Sequence, residues 1–538
     1  MSTMIENALG RKVPVTVNGF AYEPYRGAFA DLAPGPREPQ PTPTRQGRGE
    51  SRVAPSLAAV MEEFLPDQGG WISFPHYYRE DTTLLRLVLE GLRASGRRGV
   101  KVMGIAFFNS HAELLLPALA EGLLAGIEGN TYGAVAKAVG EGRLLPWVGL
   151  GRTHGGRARA FQCGERSVDL AILPVPIADA WGNANGVMGR DGARCGPISL
   201  GEPDARWTRH TVLLTERIHP GLLLPNPIDS RWVDRVVQVE RVGENRNIAT
   251  GTTDIRRVKG DELRNRIAAN VVKAMTASGV VREGCNFQVG SGAGLLVLRD
   301  LLEKMRREGI RGGFTVGGSM EFHVDLLQEG LVESFLDGQC FQPSARLFES
   351  LRTDPRHQEI STSFYYSPAA KQTAVGLLDV AVLGCNEIDL DFNVNTVTGY
   401  DGVLRAGIGG GPDAAAGAAL TLFALPMARV SRKGLSCPCI RERVNTVVTP
   451  GEVVSAVVTE ECIALNERND SPWLPALGEN ARDQGLELVP MAELADRALA
   501  KAKALGTLME APRYEGQVVM ALEWRDGRLI DVVRRLAR

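Results

Sequence analysis

The feature that most constrains the fold is an internal repeat. Residues 168–189 and 378–399 align without a gap, and both read as an apolar strand followed by a loop with the pattern Asp-x-x-x-Asn-x-Asn. The aligned polar pairs are Asp169 with Asp379, Asp179 with Asp389, Asn183 with Asn393 and Asn185 with Asn395. Chance similarity would struggle to keep four polar positions in register, so the sequence predicts two homologous halves.

The remainder of the chain indicates the fold class. Short Val/Ile/Leu runs alternate with segments of helical period, and glycines separate them. This alternation predicts an α/β fold of two Rossmann-like domains, with open, mostly parallel sheets and helices on both faces. We expect an N-terminal arm and Pro-rich linker over residues 1–55 and a first domain over 56–245. The second domain is predicted over 246–538, with a C-terminal extension that carries a hairpin signal at 525–527.

Composition excludes several classes of protein. Of 538 residues, 44% are apolar and 23% charged, which is typical of a folded globular chain and not of a disordered one. The 61 Lys and Arg nearly balance the 63 Asp and Glu, so no net field favours nucleic acid or an anionic membrane. The longest uncharged apolar stretch, 414–428, is shorter than the roughly 20 residues of a membrane span. We expect a cytoplasmic protein whose eight cysteines are reduced.

Several common site motifs are absent or incomplete. No Gly-x-x-x-x-Gly-Lys-[Ser/Thr] pattern occurs, so the glycine runs do not form a P-loop. Gly290–Gly294 crudely resembles a dinucleotide fingerprint without its spacing, and a glycine turn is favoured. Cys437 and Cys439 could supply half of a metal site, but no suitable partners follow, so we predict no bound metal.

Two polar clusters follow predicted strands, where open α/β sheets bind ligands. The first contains His76, Tyr77 and Arg79, and the second contains Arg152 and His154 among glycines. Arginine and histidine donors suit a carboxylate or phosphate. A helix cap with a satisfied histidine explains the first cluster equally well, and a solvated turn explains the second.

A third cluster is the run Gly409, Gly410 and Gly411, which precedes an alanine-rich segment. Glycines let backbone N–H groups approach an anion closely, and a following helix would direct its positive end at the same point. A structural turn rarely needs three consecutive glycines. The run therefore favours a site for an oxyanion or a thiolate.

Because these clusters and several other motifs occur in one order along the chain, the sequence resembles the alpha subunits of citrate lyase, which are members of the CoA-transferase superfamily. The resemblance extends from about Trp71 to the C-terminus. It is carried by the motifs at residues 74–80, 153–157, 179–186, 236–243, 387–395, 398–405 and 524–533. It implies two CoA-transferase domains, in agreement with the repeat.

The resemblance implies an enzyme that exchanges acetyl for citryl on a thioester. The co-substrate would be acetyl-CoA or the CoA-derived prosthetic group of an acyl carrier protein, with no tightly bound cofactor. Implied partners are a beta (lyase) subunit, a gamma (acyl carrier) subunit, citrate and the acetyl thioester, in an oligomer without nucleic acid or membrane.

The chemistry assigns expected roles to residues. Oxyanion stabilisation is expected from Asn183, Asn185, Asn393, Asn395, Gly409 and Gly410. Substrate binding is expected from His76, Tyr77, Arg79, Arg152 and His154, and CoA binding from Gly317, Gly318, Gly409, Gly410 and Gly411. Gly318 occupies the position at which one superfamily branch has a glutamate nucleophile, which implies direct transfer in a ternary complex. Glu321 lies nearby and keeps a covalent route open.

Departures from the family pattern leave the substrate open. The chain reads Ile408-Gly-Gly-Gly-Pro-Asp413 where the family usually has Gly-Gly-His, and residues 320–323 replace smaller ones. Citramalate or another hydroxy-polycarboxylate could replace citrate. A non-catalytic scaffold subunit of a lyase complex, or a sugar-phosphate isomerase or binding module on the same fold, are the alternatives from other classes.

Overall fold

The computed structural model describes residues 3–31, 50–249, 261–290 and 294–537. The predicted Pro-rich linker lies largely outside these residues, and so does the centre of the Gly290–Gly294 turn. The described part of residues 1–55 forms two short hairpins at the N-terminus and the strand that joins the first sheet at Val53–Ala54.

The strands define two large sheets. Those of the first half and the segment before it are β1 (Met4–Glu6), β2 (Lys12–Pro14), β3 (Thr16–Val17), β4 (Phe20–Ala21), β5 (Val53–Ala54), β6 (Trp71–Phe74), β7 (Val100–Phe107), β8 (Leu124–Thr131), β9 (Gly149–Gly151), β10 (Leu170–Asp179), β11 (Ala184–Asn185), β12 (His210–His219) and β13 (Arg235–Gln238). Those that follow are β14 (Phe287–Val289), β15 (Gly312–Ser319), β16 (Val332–Cys340), β17 (His357–Glu359), β18 (Val380–Gly384), β19 (Glu387–Asp389), β20 (Val394–Asn395), β21 (Leu420–Ala424), β22 (Ala428–Val430), β23 (Ser436–Pro438), β24 (Ile440–Arg441), β25 (Ala456–Val458), β26 (Cys462–Leu465), β27 (Glu487–Leu488), β28 (Tyr514–Glu523) and β29 (Leu529–Leu536).

The α-helices lie mainly between these strands. They are α1 (Leu57–Phe64), α2 (Thr83–Ala94), α3 (Ala112–Ala120), α4 (Gly133–Gly140), α5 (His154–Gln162), α6 (Glu202–Trp207), α7 (Glu262–Ala277), α8 (Gly294–Glu308), α9 (Glu321–Gln328), α10 (Ala345–Thr353), α11 (Thr362–Tyr366), α12 (Gly411–Gly417), α13 (Leu474–Asn480) and α14 (Met491–Leu505). In α2, Leu85, Val88, Leu89 and Leu92 are buried at helical spacing, as expected of an amphipathic helix on a sheet.

The two sheets have the same topology. The first runs β9-β8-β7-β6-β10-β12-β13 and the second β17-β16-β15-β14-β18-β21-β25, with all of these neighbours parallel. In each sheet the strand numbers fall and then rise across the sheet, and the change occurs between β6 and β10 in the first sheet and between β14 and β18 in the second. Ligands of open α/β sheets bind outside the carboxyl ends of strands at such points. The predicted α/β class with mostly parallel sheets is confirmed.

The repeated aspartates have the same role in both halves. Asp169 accepts the N–H that opens β6, and Asp379 accepts the N–H of Asn286, the residue before β14. Asp179 and Asp389 each cap the turn that follows, accepting the backbone N–H of Asn183 at 3.0 Å and of Asn393 at 2.9 Å. The short range of these bonds explains why four polar positions recur in the sequence.

The C-terminal hairpin returns to the first half. β28 pairs in parallel with β9 and antiparallel with β29, so the last two strands extend the first sheet, not the second. The predicted turn at 525–527 joins these two strands. The boundary between the two domains remains a proposal, and a description by sheets would place this hairpin with the first half.

Two further observations concern the whole of the described ranges. None of their helices combines the length and apolar character needed to cross a bilayer. Within the same ranges no three or more His, Cys, Asp or Glu side chains are grouped so that they could hold a metal ion. All eight cysteines are free, and most are buried.

Candidate functional site

The candidate site lies where loops from the two sheets meet. A parallel bridge joins Thr153, after β9, to Gly409, before α12, and the N–H of His154 donates to the Gly409 carbonyl at 3.2 Å. Nearby, the Arg79 guanidinium, after β6, lies 5.0 Å from the ring centre of Phe341, after β16. These contacts bring the predicted first and third clusters and His154 of the second together between the halves, in a region called the cleft.

Arg79 is the candidate anion anchor. Its guanidinium lies between two aromatic rings, 5.4 Å from the centre of Phe108 and 5.0 Å from that of Phe341. Its side chain forms no ion pair or hydrogen bond with a described residue, and its Nε is buried. Burial lowers the pKa of Arg79. A partly buried cation without an ion-pair partner is costly, so this arrangement favours an anionic ligand.

The backbone at Arg79 is also unusual, because its φ is +50°. Side chains other than glycine rarely adopt this left-handed conformation, and such strain concentrates at functional sites. The conformation belongs to a turn in which the Arg79 N–H donates to the His76 carbonyl at 3.1 Å. This turn therefore places the side chains of His76 and Arg79 close together in one short segment.

Two histidines complete the anion-binding side of the cleft. The rings of His76 and His154 lie 6.3 Å apart. Burial, followed by the nearby cations Arg157 and Arg79, lowers the pKa of His154 to about 4, and burial and Arg79 lower the pKa of His76 well below its usual range. Both rings are therefore neutral at pH 7. They can donate or accept hydrogen bonds but add no positive charge.

The glycine loop, Gly409–Gly411, lies beside His154 and Tyr366. Gly409 has φ +71°, and the N–H groups of Gly410 and Gly411 have no hydrogen-bond acceptor among the described residues. A Cβ on Gly410 would come within 2.8 Å of the Tyr366 ring, whereas Gly411 faces open space. The loop leads directly into α12, as the sequence predicts. Free N–H groups in this position can stabilise an oxyanion.

Asn130 positions the glycine loop, and sequence reasoning missed it. Its amide donates to the carbonyls of Ile105 at 3.1 Å and Arg152 at 3.3 Å. Its oxygen accepts the N–H of Ile408 at 2.7 Å and of Gly409 at 3.4 Å. One buried side chain thus joins β7 and the residue after β9 in the first half to the glycine loop of the second. A single asparagine near the end of a strand carries no local signal for this role.

Asp413 is a second residue that the sequence did not identify as functional. It is fully buried, accepts the Thr153 hydroxyl and the Gly155 N–H, both at 2.8 Å, and lies 3.6 Å from the Arg525 guanidinium. Burial raises its pKa to about 6. Asp413 therefore holds the first turn of α12 against the start of α5, and so fixes the glycine loop relative to His154.

Tyr366 forms the wall between His154 and the glycine loop. Its ring stacks on Tyr365 at 3.6 Å between centres and lies 5.8 Å from the His154 ring. Burial raises the pKa of Tyr366, so its hydroxyl stays protonated. Nothing in the local sequence distinguishes it from a core aromatic.

Gly317 and Gly318 lie at the carboxyl end of β15, beside this cleft. The register between β15 and β16 shifts between them, and a Cβ on Gly318 would come within 2.6 Å of Phe341, the ring beneath Arg79. A Cβ on Gly317 would meet nothing within 4 Å. The expected CoA-binding role of both stays a prediction, and their position next to Phe341 is compatible with it.

Arg152 and Tyr77 have internal partners for their polar groups, although Tyr77 lines the same small cavity as His76 and Arg79. Arg152 is 3% exposed, and its guanidinium donates to Glu128 at 2.6 Å and to Glu523 at 2.8 Å. The Tyr77 hydroxyl donates to the buried Ile198 carbonyl at 2.6 Å. The substrate-binding role of both residues stays a prediction. The sequence shows the side-chain type but not the partners that these hydrogen bonds reveal.

The four repeated asparagines are also used internally. Asn183 donates to Asp179, Asn393 donates to Asp389, and Asn185 donates to a loop carbonyl. Asn395 donates to Glu387 at 2.8 Å and to Thr398. Their amide oxygens accept backbone N–H groups as well. The geometry supports a role in holding the two loops and not the expected oxyanion role, since their amide groups already have partners.

Together, the cleft combines one unneutralised cation, two neutral histidines and a loop of free N–H groups. The cation and the histidines suit carboxylates, and the loop suits a negative charge that develops on a carbonyl oxygen or a sulfur. Such a site can promote acyl transfer without a general base.

Comparisons with known proteins agree on one family. The family model described as "Citrate lyase, alpha subunit (CitF)" matches residues 50–536. The citrate lyase alpha chain of Klebsiella pneumoniae is 35% identical over 493 residues, which cover 90% of this chain and 92% of that one. That of Escherichia coli K12 is 33% identical over 517 residues, 95% and 96% of the two chains.

A solved structure gives the same result. The structure assigned to the alpha subunit of citrate lyase from Streptococcus mutans, in complex with citrate, superposes with a TM-score of 0.87 at 32% identity. The superposition covers 99% of this chain and 100% of that one.

Proposed function

The chain belongs to the citrate lyase alpha subunit family, and we propose that it exchanges acetyl for citryl on a thioester. The chain is an enzyme of the CoA-transferase type. The finer assignment, from acetyl thioester and citrate to citryl thioester and acetate, is the proposal. The observation that carries it is Arg79, a cation with no counter-ion that lies in the same cleft as the glycine loop.

The proposed reaction has two acyl transfers. A carboxylate oxygen of citrate attacks the acetyl thioester carbonyl, the C–S bond breaks, and a thiolate and a mixed anhydride result. The thiolate then attacks the citryl carbonyl of the anhydride, and the C–O bond to acetate breaks. No net proton is gained or lost, so the residues need to stabilise negative charge and hold the reactants together.

The residues of the cleft divide this work. Arg79 binds one of the citrate carboxylates that does not react, with His76 and His154 as neutral hydrogen-bonding partners. The N–H groups of Gly410 and Gly411 stabilise the oxyanion of each tetrahedral intermediate and the thiolate between them. A neutral histidine suits a site that must release an anionic product, because it binds less strongly than a second cation.

Direct transfer in a ternary complex is the preferred route. Gly318, next to Phe341, offers no nucleophile at the position where another branch of the superfamily has a glutamate. Glu321, the first residue of α9, keeps the covalent alternative testable. We expect Glu321→Gln to retain its kcat, and no covalent enzyme–CoA thioester to be detected by mass spectrometry after incubation with acetyl-CoA, with or without borohydride. A loss of activity together with a thioester between Glu321 and CoA would support the covalent route instead.

The family also implies an assembly. A citrate lyase alpha subunit acts beside a lyase subunit and an acyl carrier subunit, and we propose the same partners here. The thiol would then be that of the CoA-derived group on the carrier, with acetyl-CoA as its substitute for the isolated chain.

The first test is a product assay. The purified chain is incubated with acetyl-CoA and isotopically labelled citrate, and mass spectrometry follows citryl-CoA and free acetate. Both products are expected, and Arg79→Met is expected to form them only at raised citrate concentration. Citramalate and other hydroxy-polycarboxylates serve as parallel substrates. If no substrate gives a thioester, even with a supplied carrier protein, the transferase proposal fails and a scaffold subunit becomes the better hypothesis.

A further inference from the structure

A second polar cleft lies away from the candidate active site, where three segments of the chain meet. Its volume is about 300 Å³. The N-terminal segment contributes Arg11 and Lys12, the loop after β24 contributes Arg443, and the last two strands contribute Arg534 and the partly exposed Tyr514. None of these residues belongs to the acyl-transfer cleft, so the proposed function does not account for them.

Positive charge dominates this second cleft. Four cationic side chains line it, and Asp531 is the single acidic residue among the lining groups. Asp531 is buried, lies 3.6 Å from Arg11 and also accepts the Val447 N–H at 2.8 Å. Asp531 forms an ion pair with Arg11 and also interacts electrostatically with Arg534, so one carboxylate faces four cations.

The other cations have no close counter-ion. Lys12 is opposite Glu6 in the β1–β2 register, yet no carboxylate of a described residue forms an ion pair with Lys12, Arg443 or Arg534. Surface arginines elsewhere in the chain commonly have such partners, for example Arg352 with Glu349 at 2.6 Å. Like charges brought together in one cleft repel one another unless an anion joins them.

Backbone carbonyls fix the two outer arginines in place. Arg443 donates from Nη2 to the Gly10 carbonyl at 2.9 Å. Arg534 donates to the carbonyls of Gly516 at 2.9 Å and Lys12 at 3.3 Å. A guanidinium has five N–H donors, so each side chain is oriented while keeping donors for a ligand. Fixed guanidinium groups suit the oxygen geometry of phosphate better than mobile lysines do.

We propose that this cleft is a second anion site, which binds a phosphate-bearing ligand of at least two negative charges. The phosphate could be a free inorganic anion or the phosphate groups of a larger molecule, and the chemistry of recognition is the same in both cases. Tyr514 would add a hydroxyl donor at the rim. The site goes beyond the proposed function and does not depend on it.

The test measures thermal stability with inorganic pyrophosphate as the probe. We expect a rise in Tm of about 2–4 °C above that in NaCl of equal ionic strength, which continues to grow with the logarithm of the pyrophosphate concentration. Arg443→Ala combined with Arg534→Ala should abolish the rise, because it removes two of the four cations that would bind the anion. The variant should still fold, since both side chains are bonded only to backbone carbonyls. Lys12→Glu is a second, independent variant with the same expected loss. The matched control Arg352→Ala should keep the full rise.

Two further measurements define the source of the phosphate and the independence of the site. Arg79→Met should keep the pyrophosphate effect, which separates this cleft from the acyl-transfer site. Adenosine 3′,5′-bisphosphate serves as the organic probe, and only the part of its Tm rise that is lost in the Arg443→Ala and Arg534→Ala double variant is assigned to this cleft, because the probe is also the nucleotide part of CoA. If that part exceeds the rise with pyrophosphate, the site binds a larger phosphate-bearing molecule; if it is smaller, the site binds a free anion. The proposal is overturned if neither probe exceeds NaCl, or if the rise survives in both cleft variants.

Discussion

Alanine substitutions in the glycine loop test its proposed role, because the three glycines differ in how well the structure would tolerate a side chain. At Gly410, a Cβ would lie 2.8 Å from Cζ and Oη of Tyr366. The ring cannot retreat easily, since it is 7% exposed and stacks on Tyr365 at 3.6 Å between centres. At Gly409 the space is open but φ is +71°, and at Gly411 the space is open and φ is ordinary.

Alanine at each position should therefore have a different effect. Gly410→Ala must shift the loop or the ring, at about 1–3 kcal/mol of overpacking. Displacement of an oxyanion donor by about 1 Å costs on the order of 10²-fold in rate, so we expect kcat to fall by about that factor. Gly409→Ala carries about 1–2 kcal/mol of left-handed strain and should be intermediate. Gly411→Ala should stay near wild type and is the matched control.

The assay is steady-state citryl-CoA formation, with Tm measured on each variant. In a Tyr366→Ala background the contact at Gly410 is gone, so the additional effect of Gly410→Ala should shrink, as a double-mutant cycle would measure. The reasoning is refuted if Gly410→Ala and Gly411→Ala have the same kcat, or if the effect of Gly410→Ala is unchanged in the Tyr366→Ala background.

Four other predictions concern single residues. Arg79→Met should raise the citrate KM by about 10–100-fold with little change in the acetyl-CoA KM, since one charge-assisted bond contributes about 1.5–3 kcal/mol; a raised thioester KM alone would contradict this. Asn130→Ala should lower kcat on the order of 10²-fold while citrate KM changes little, and Asn130→Asp, which keeps the acceptor for the loop N–H groups, should recover part of the loss. Asn395→Ala should lower Tm while the folded enzyme keeps its kcat, and a normal Tm with lost kcat would restore the oxyanion role. Burial raises the pKa of Glu359 from 4.5 to about 7, so the stability that this group contributes falls as pH rises from about 4.5 to 7. Glu359→Gln should therefore become more stable than wild type by at most roughly 2–3 kcal/mol at pH 8 and gain little at pH 4, as chemical denaturation would measure.

Part of the site could be predicted from local sequence. His76, Arg79, His154 and Gly409–Gly411 follow strands or precede a helix, and that placement alone predicts the carboxyl edge of a sheet. The same reasoning selected Arg152, which lies on the same edge but is already paired with Glu128 and Glu523. Residue type and position are visible in a sequence, whereas the partner that satisfies a charge is not.

The repeated asparagines show a related difficulty. The asparagines recur at the same spacing in both halves because each half uses them in the same hydrogen-bonded turn. The recurrence of a pattern within one chain therefore identified a structural requirement shared by both halves. The proposed acyl-transfer cleft, by contrast, uses different residues from each half.

The sequence by itself determined the duplication, the α/β class and the loops that carry the candidate chemistry, because these depend on periodicity and on short-range hydrogen bonds. Only the tertiary structure decided which of those loops meet. Asn130, Tyr366 and Asp413 became recognisable through contacts that join distant segments, such as the bond from the Thr153 hydroxyl to Asp413. The tertiary structure also placed the C-terminal hairpin on the first sheet. Contacts of this kind depend on how the two sheets pack, and no local pattern of residues encodes that packing.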